Sequence, residues 1–309
     1  MARNLSMAEL EPNTMPTLWR LHIRPPGGNG AAAASVALCM ARKIIGMGWP
    51  VPDETVTRSQ DFEWFKKAAA ARYRGDNRWF SVRAFAEGPA TGDLVWFRNL
   101  EGRYYLAELL GPWEYAYEDP EAIGADIVNY RPARIMEVGL ADAVPGKIIS
   151  CFSPSRTFQA IRAPGMLAFS EELAGFPLSA EVNFDIYEFM SAMDLESLVF
   201  VYLQYIGWYV LPGTRAADTP HYEFVLVNRE SGQRALVQVK SGNIRIDAAA
   251  YAFEETTFLF AASGEYGADI PPNAVIITRA ELNRFMRQQP HLLPRAVGTW
   301  IAIARLPPE

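Results

Sequence analysis

Cysteine is scarce in this chain. Cys39 and Cys151 are the only two in 309 residues and lie in different regions. They give no basis for a disulfide framework or a cysteine zinc site. The three histidines, His22, His221 and His291, are far apart, and no His-x-x-x-His spacing suggests a histidine metal centre. No apolar run reaches the ~20 residues that a bilayer span needs. The opening "MARNLSMAEL" has no hydrophobic stretch of signal-peptide type. A cytoplasmic chain without a membrane partner is therefore expected. There is no Gly-x-Ser-x-Gly nucleophile motif, internal repeat or low-complexity segment. "GGNG" precedes an alanine-rich stretch and could hold a phosphate at a helix start. It lacks the Gly-Lys-Ser/Thr of a P-loop and the full dinucleotide fingerprint.

Positive charge is also in short supply. Lys and Arg total 29 against 35 Asp and Glu, a net charge of −6. This argues against wholesale coating of a polyanion but leaves room for a local basic face. The acidic excess falls mostly in the second half. "FKKAAAARYRGDNRWFSVR", by contrast, carries Lys66, Lys67, Arg72, Arg74, Arg78 and Arg83 against a single Asp76. Mixed with Tyr73 and Trp79, these residues suit phosphate contact with base stacking, or a solvated helix face.

Half of the residues are apolar, and the length accommodates two domains, each with its own core. Residues 1–16 read as a flexible lead-in. "LWRLHIRP" alternates like a strand, "GGNGAAAASVALCMARK" turns into a helix, "IIGMGW" is a short buried strand, and "DFEWFKKAAAARY" is helical in composition. "TGDLVWFRNLEGRYYLAELLGPWEY" predicts two strands joined across "NLEG", and "NYRPARIMEVGL" a further strand pair. The first unit closes near "CFSPSRTFQAI", giving a domain over 17–162 and a linker over 163–183. A second domain over 184–309 opens with a helix in "MDLESLVFVYLQYIGWYVLP", with Asp194 as N-cap. "EFVLVN" and "RALVQVK" flank a "RESGQ" hairpin loop. A helix around "IDAAAYAFEE", strands "TFLFAAS" and "AVIITR", and a helix "AELNRFMRQQ" follow. The fold class expected is α+β, with mixed β and a few helices first and an α/β sandwich on a mixed sheet second.

One constellation in the second unit invites chemistry. Gln238 and Lys240 alternate onto the same face of their strand, and Glu223 begins the partner strand. Glu196, in the first turn of the preceding helix, is a possible fourth member. An acid, carbonyl oxygens and an ammonium suit metal-assisted phosphodiester hydrolysis. Mg²⁺ (or Mn²⁺) takes oxygen ligands, and a lysine can orient the attacking water or stabilise developing charge. A solvated hairpin also often begins with Glu and ends with Lys.

An acid at a strand start, followed by (E/Q)-x-K ending the next strand, resembles the PD-(D/E)xK nuclease superfamily. The Gln of "QVK" is similar to the Mrr-like restriction endonuclease branch. The resemblance covers roughly residues 190–280 and implies a restriction-endonuclease-like domain. In it Glu223, Gln238 and the Val239 carbonyl would hold the metal, Lys240 would be the catalytic lysine, and Glu196 the helix acid. Glu223 stands where Asp is usual, and Tyr222 where Pro or a small residue is usual.

"LWRLHIRP", "IIGMGW" and "TGDLVWFRNLEGRYYLAELLGPWEY" resemble the EVE-like branch of PUA-related domains, over about residues 17–162. This implies a half-open β-barrel with helices that reads DNA or a modified base. Trp19, Trp49, Trp96, Trp113 and Tyr115 are the candidate rings and Asp93 the candidate polar reader. Each Trp also suits a core, and Asp93 a turn that bonds local amides. Together the resemblances imply a Mg²⁺-dependent DNA endonuclease of restriction or antiviral defence type, and double-strand cleavage by one site per chain would call for a homodimer. The alternatives are a non-catalytic nucleic-acid-binding module and an effector nuclease triggered by a small nucleotide in the first domain.

Overall fold

The computed structural model describes residues 17–51, 61–116, 118–153, 156–178, 185–214 and 221–304. The expected lead-in over 1–16 lies outside them. Among the described residues no helix is long and apolar enough to cross a membrane.

The chain opens with β1 (Leu18–Leu21), α1 (Gly28–Arg42) and β2 (Ile44–Met47). Helices α2 (Phe62–Arg72) and α3 (Phe80–Glu87) precede the hairpin of β3 (Leu94–Arg98) and β4 (Tyr104–Leu109). Then come β5 (Glu114–Tyr115), α4 (Pro120–Gly124), β6 (Asn129–Gly139), α5 (Gly146–Ser150) and β7 (Phe158–Ala160). The strands form one curled, half-barrel sheet ordered β2-β6-β4-β3-β1-β7, with β5 beside β6. It is mixed because β1 and β3 run parallel while the other pairs are antiparallel.

"NYRPARIMEVGL", expected as a strand pair, is the single strand β6. Its first four residues pair with β2, and the residues from Ala133 onward pair with β4. Pro132 stands at the changeover, where its missing N–H leaves the ladder intact because its carbonyl accepts from Leu110. One strand thus serves two partners in succession as the sheet curls. Close approach at this corner requires glycine. A Cβ on Gly46 would lie 2.5 Å from the Asn129 carbonyl oxygen.

The second half comprises α6 (Met166–Ala174), α7 (Ile186–Phe189), α8 (Ala192–Tyr205), β8 (Trp208–Val210), β9 (Phe224–Asn228), β10 (Arg234–Lys240), β11 (Thr256–Ala261), β12 (Ala274–Ile276), α9 (Arg279–Gln288) and α10 (Arg295–Ala304). Its sheet is ordered β12-β11-β10-β9-β8. The β8-β9-β10 meander is antiparallel and β10-β11-β12 is parallel. The N-cap of α8 is Ser191, three residues before Asp194. Asp194 is the N3 partner in a reciprocal capping box, returning a bond to the Ser191 amide. "IDAAAYAFEE" yields only a 3-10 turn, Ala248–Tyr251, within the β10–β11 crossover. Ala248 and Tyr251 are its buried residues, too narrow a stripe to hold a longer helix against the sheet.

One face of the second sheet, with Val237, Val239, Phe258 and Phe260, packs under α8 and α9 through Leu195, Leu198, Leu282 and Phe285. The same core continues into Leu18, Trp96 and Leu106 of the first sheet. Helix α6 lies at this junction, inside the stretch expected as a linker. Its Ser170 accepts from Trp96 Nε1 at 2.9 Å, and Phe169 packs on Trp300 of α10 with ring centroids 4.9 Å apart.

A candidate hydrolytic site on the open face of the second sheet

The β9–β10 register fixes the first relationship. Leu236 pairs with Val225 and Val237 with Phe224, the last pair of the ladder, and Glu223 lies just outside β9, next to Val237. Opposed residues share a face, and so do residues two apart on one strand. Gln238 and Lys240 therefore project from the face opposite α8 and α9, and Glu223 lies close enough to Tyr251 of that face for its charge to act on the hydroxyl. Among the described residues, that face is covered by a small cluster containing Ile246, Ala248 and Tyr251.

The Glu223 amide donates to the Val237 carbonyl at 2.7 Å, so the acid is tied by its backbone at the mouth of the hairpin. The Lys240 carbonyl accepts from Ala262 at 2.8 Å, on the β11 side. Carbonyls alternate along a strand, so that of Val239 turns to the β9 side, past the last pair of that ladder. Among the described residues neither the Glu223 carboxylate nor the Lys240 ammonium is held in an ion pair. Gln238 is completely buried, and its amide is engaged by the Tyr251 hydroxyl. Its Oε1 is a buried oxygen that no hydrogen bond satisfies.

Tyr251 is the site residue that sequence reasoning missed, because its segment reads as an ordinary helix. Burial pushes its hydroxyl above the usual value and the Gln238 hydrogen bond opposes this, while the nearby Glu223 and Asp247 charges add to the rise. Glu196 is not brought to this face. It lies on α8, which covers the other side of the sheet. A separate polar pocket of about 240 Å³ lies past the ends of β10 and β11, lined by residues including Asp185, Asn243, Ser263, Glu265 and Arg279. None of Glu223, Gln238 and Lys240 lines it.

Among the described residues no three His, Cys, Asp or Glu side chains cluster as metal ligands. The donor set on the sheet is instead one carboxylate, one unsatisfied amide oxygen and one main-chain carbonyl. All three are hard oxygen donors, and a Mg²⁺ that keeps several waters needs few protein ligands. In donor chemistry the set suits such an ion.

The aromatic candidates of the first sheet do not converge on one place. Trp96 is fully buried core. Asp93 is nearly buried and accepts from Thr17 N, Trp19 Nε1 and Ala90 N at 2.8, 2.8 and 3.0 Å, which is a structural role. Trp19 stacks on Phe158 at 5.0 Å. Trp113 and Tyr115 stack on each other at 6.1 Å and against Phe65, with the indole donating to Asn129 and the Tyr115 hydroxyl bonded to Val51. Trp49 is only half-buried. It meets Tyr73 edge-on at 5.0 Å, and Arg78 lies over its ring at 5.9 Å. The basic stretch around them is partly neutralised, with Lys66 and Arg83 on Glu87 and Arg78 on Asp76.

Asp126, another residue the sequence did not single out, lies beside Trp49. A Cβ on Gly48 would collide with its carboxylate at 2.0 Å. Burial raises its carboxyl from 3.8 to about 6. A carboxyl raised on folding contributes stability that is full below about 4 and lost as pH rises through about 6. Asp126→Asn is therefore expected to stabilise the protein at neutral pH by on the order of 2 kcal/mol and to have little effect below pH ~4. Asparagine tolerates the positive φ of 54° at this position. Urea midpoints at the two pH values check this, and equal shifts at both would refute it.

No family model, curated protein or solved structure matches the chain.

Proposed function

We propose that the protein is a metal-dependent DNA endonuclease of restriction or defence type, with a restriction-endonuclease-like second half and a PUA/EVE-like first half that recognises DNA or a modified base. The observation that carries this reading is the grouping around Tyr251. Gln238 bonds to Tyr251, Glu223 lies near the same hydroxyl, Lys240 is two residues on from Gln238, and among the described residues both charged groups are left without an ion-pair partner. Elsewhere the protein pairs many of its charges, as in Arg42 with Asp119 and Arg295 with Asp142. An acid and an ammonium kept apart on one sheet face are available to substrate.

Glu223, Gln238 Oε1 and the Val239 carbonyl would hold the metal, which when bound polarises the phosphate and acidifies water. Lys240 supplies a fixed positive charge to the oxygen that becomes more negative in the transition state. Gln238 brings no charge, so Glu223, with Asp247 nearby, sets the negative field, and Tyr251 fixes the Gln238 amide in place.

Plasmid and modified phage DNA are expected to be cut with Mg²⁺ or Mn²⁺ and left intact with a chelator. No cleavage of any DNA under these conditions would remove the reading. Calorimetry separates it from a non-catalytic binding module. Heat of Mn²⁺ binding in the presence of oligonucleotide, lost in Glu223→Gln, supports hydrolysis. Oligonucleotide binding with no metal heat supports the module.

A further inference from the structure

Strand β1 carries a second constellation, on the first sheet and independent of the hydrolytic residues. Arg20, His22 and Arg24 alternate onto one face of the chain leaving β1. Continued two rungs past its last pair, Arg20 with Trp96, the parallel register with β3 sets Arg98 beside His22. Phe152 lies at the centre. Arg98 and Arg20 sit over its ring at 5.1 and 5.6 Å, and His22 meets it edge-on at 5.7 Å.

Arg20 is completely buried, and its Nη1 donates to the Arg156 and Thr157 carbonyls. Its Nε and Nη2 are buried without a hydrogen-bond partner. These two N–H groups form one edge of the guanidinium, the parallel fork that grips two oxygens of an oxyanion. His22 accepts from Arg24 Nε at Nε2, at 2.7 Å, which places its proton on Nδ1. That Nδ1 is also buried and unpartnered. Among the described residues no carboxylate pairs with Arg20, Arg24 or Arg98. Buried polar groups are ordinarily satisfied, and buried charges ordinarily paired. Three donors on two neighbouring buried side chains, within a cluster of three guanidiniums that no described carboxylate pairs, present a set of N–H groups suited to an anion.

We infer that the face of β1 formed by Arg20, His22, Arg24 and Arg98 binds the phosphate group of a small molecule, either a terminal phosphate monoester or free phosphate. A dianion matches the excess of positive charge, and tetrahedral oxygens match a fork plus a third donor. The depth argues against a duplex backbone. Exposure falls from Arg24, at the surface, through His22 at 7 % to Arg20 at 0 %, and a buried guanidinium edge is reached by a terminal group, not by a phosphodiester flanked by sugars. This makes the first half a sensor of a phosphorylated small molecule, whatever the second half does to DNA.

The test uses the full-length protein with chelator present, so that the metal site cannot contribute. Inorganic phosphate, a mononucleotide and its parent nucleoside are each titrated, with thermal unfolding and the His22 imidazole NMR signals as readouts. Burial, aided by the three arginines, holds His22 down at about 4. A bound dianion is expected to shift its resonances and raise its titration midpoint. Phosphate and mononucleotide should both raise the unfolding temperature, and the nucleoside should not. The mononucleotide binding the more tightly identifies a nucleotide as the carrier, while equal affinities identify phosphate alone. Arg98→Gln, at a half-buried position, and Arg20→Met, which replaces an unpaired buried charge with an apolar chain, should each weaken binding at least ~10-fold. Absence of phosphate binding, nucleoside binding as tightly as its phosphate, or affinity unchanged in both variants would overturn the inference. None of these results depends on whether DNA is cut.

Discussion

Lys240→Ala is expected to reduce metal-dependent DNA cleavage by about 10²–10³-fold, the loss that follows removal of one preorganised charge facing the reacting oxygens. The prediction is clean because Lys240 contributes little to the fold. Its ammonium bonds to no described residue, and its bond to Ala262 runs through the main-chain carbonyl, which alanine retains. Surface-type substitutions away from core, cap and network features usually cost within ~0.5 kcal/mol. The variant should therefore unfold at nearly the wild-type temperature and still bind oligonucleotide. Cleavage rates at saturating Mn²⁺, with circular dichroism melts as control, measure both quantities. Undiminished cleavage would take Lys240 out of the chemistry. A large fall in unfolding temperature would mean that it serves the fold instead.

Much of the second sheet was legible because its strands are apolar runs bounded by turn residues, and because "RESGQ" can close only a hairpin. The same period-2 logic put Gln238 and Lys240 on one face, and the hairpin brings Glu223 to the end of the same ladder, bonded to Val237. Which face this is, and hence that Glu196 lies across the sheet from it, depends on where α8 packs. No local pattern carries that information. Tyr251 was missed for a related reason. A tyrosine in an alanine-rich stretch reads as helix, and only the parallel crossover from β10 to β11 brings it over Gln238. In the first half, "NYRPARIMEVGL" reads as a strand pair, whereas the curled sheet makes it one strand that changes partners at Pro132. The Arg20 cluster was invisible because "LWRLHIRP" has the ordinary alternation of a half-exposed strand. It is the covering by Phe152, more than a hundred residues later, that buries the guanidinium.

Trp96→Ala is expected to cost ~3–5 kcal/mol, the usual loss for emptying a large aromatic site in a core that cannot collapse. Total stability is typically 5–15 kcal/mol, so the loss is a large fraction of it. Trp96 is completely buried among Leu18, Leu106 and Phe169, in the core that runs from the first sheet under α6 to α8 and α10. A ring that stacked a base would behave in the opposite way, losing DNA affinity with little change in stability. Trp96→Phe separates packing from polarity. It retains most of the ring and removes the indole N–H, and Ser170 remains satisfied because its hydroxyl also donates to the Met166 carbonyl at 2.7 Å. Its cost should be nearer 1–2 kcal/mol. The shared core adds a second consequence. Loosening the first sheet at Trp96 removes support from α6 and, through Phe169 and Trp300, from α10. Both halves should therefore lose stability together, in one transition seen by tryptophan fluorescence and by circular dichroism alike. Two separated transitions, with only the first moved by the substitution, would show that the halves fold independently and that the continuous core does not couple them.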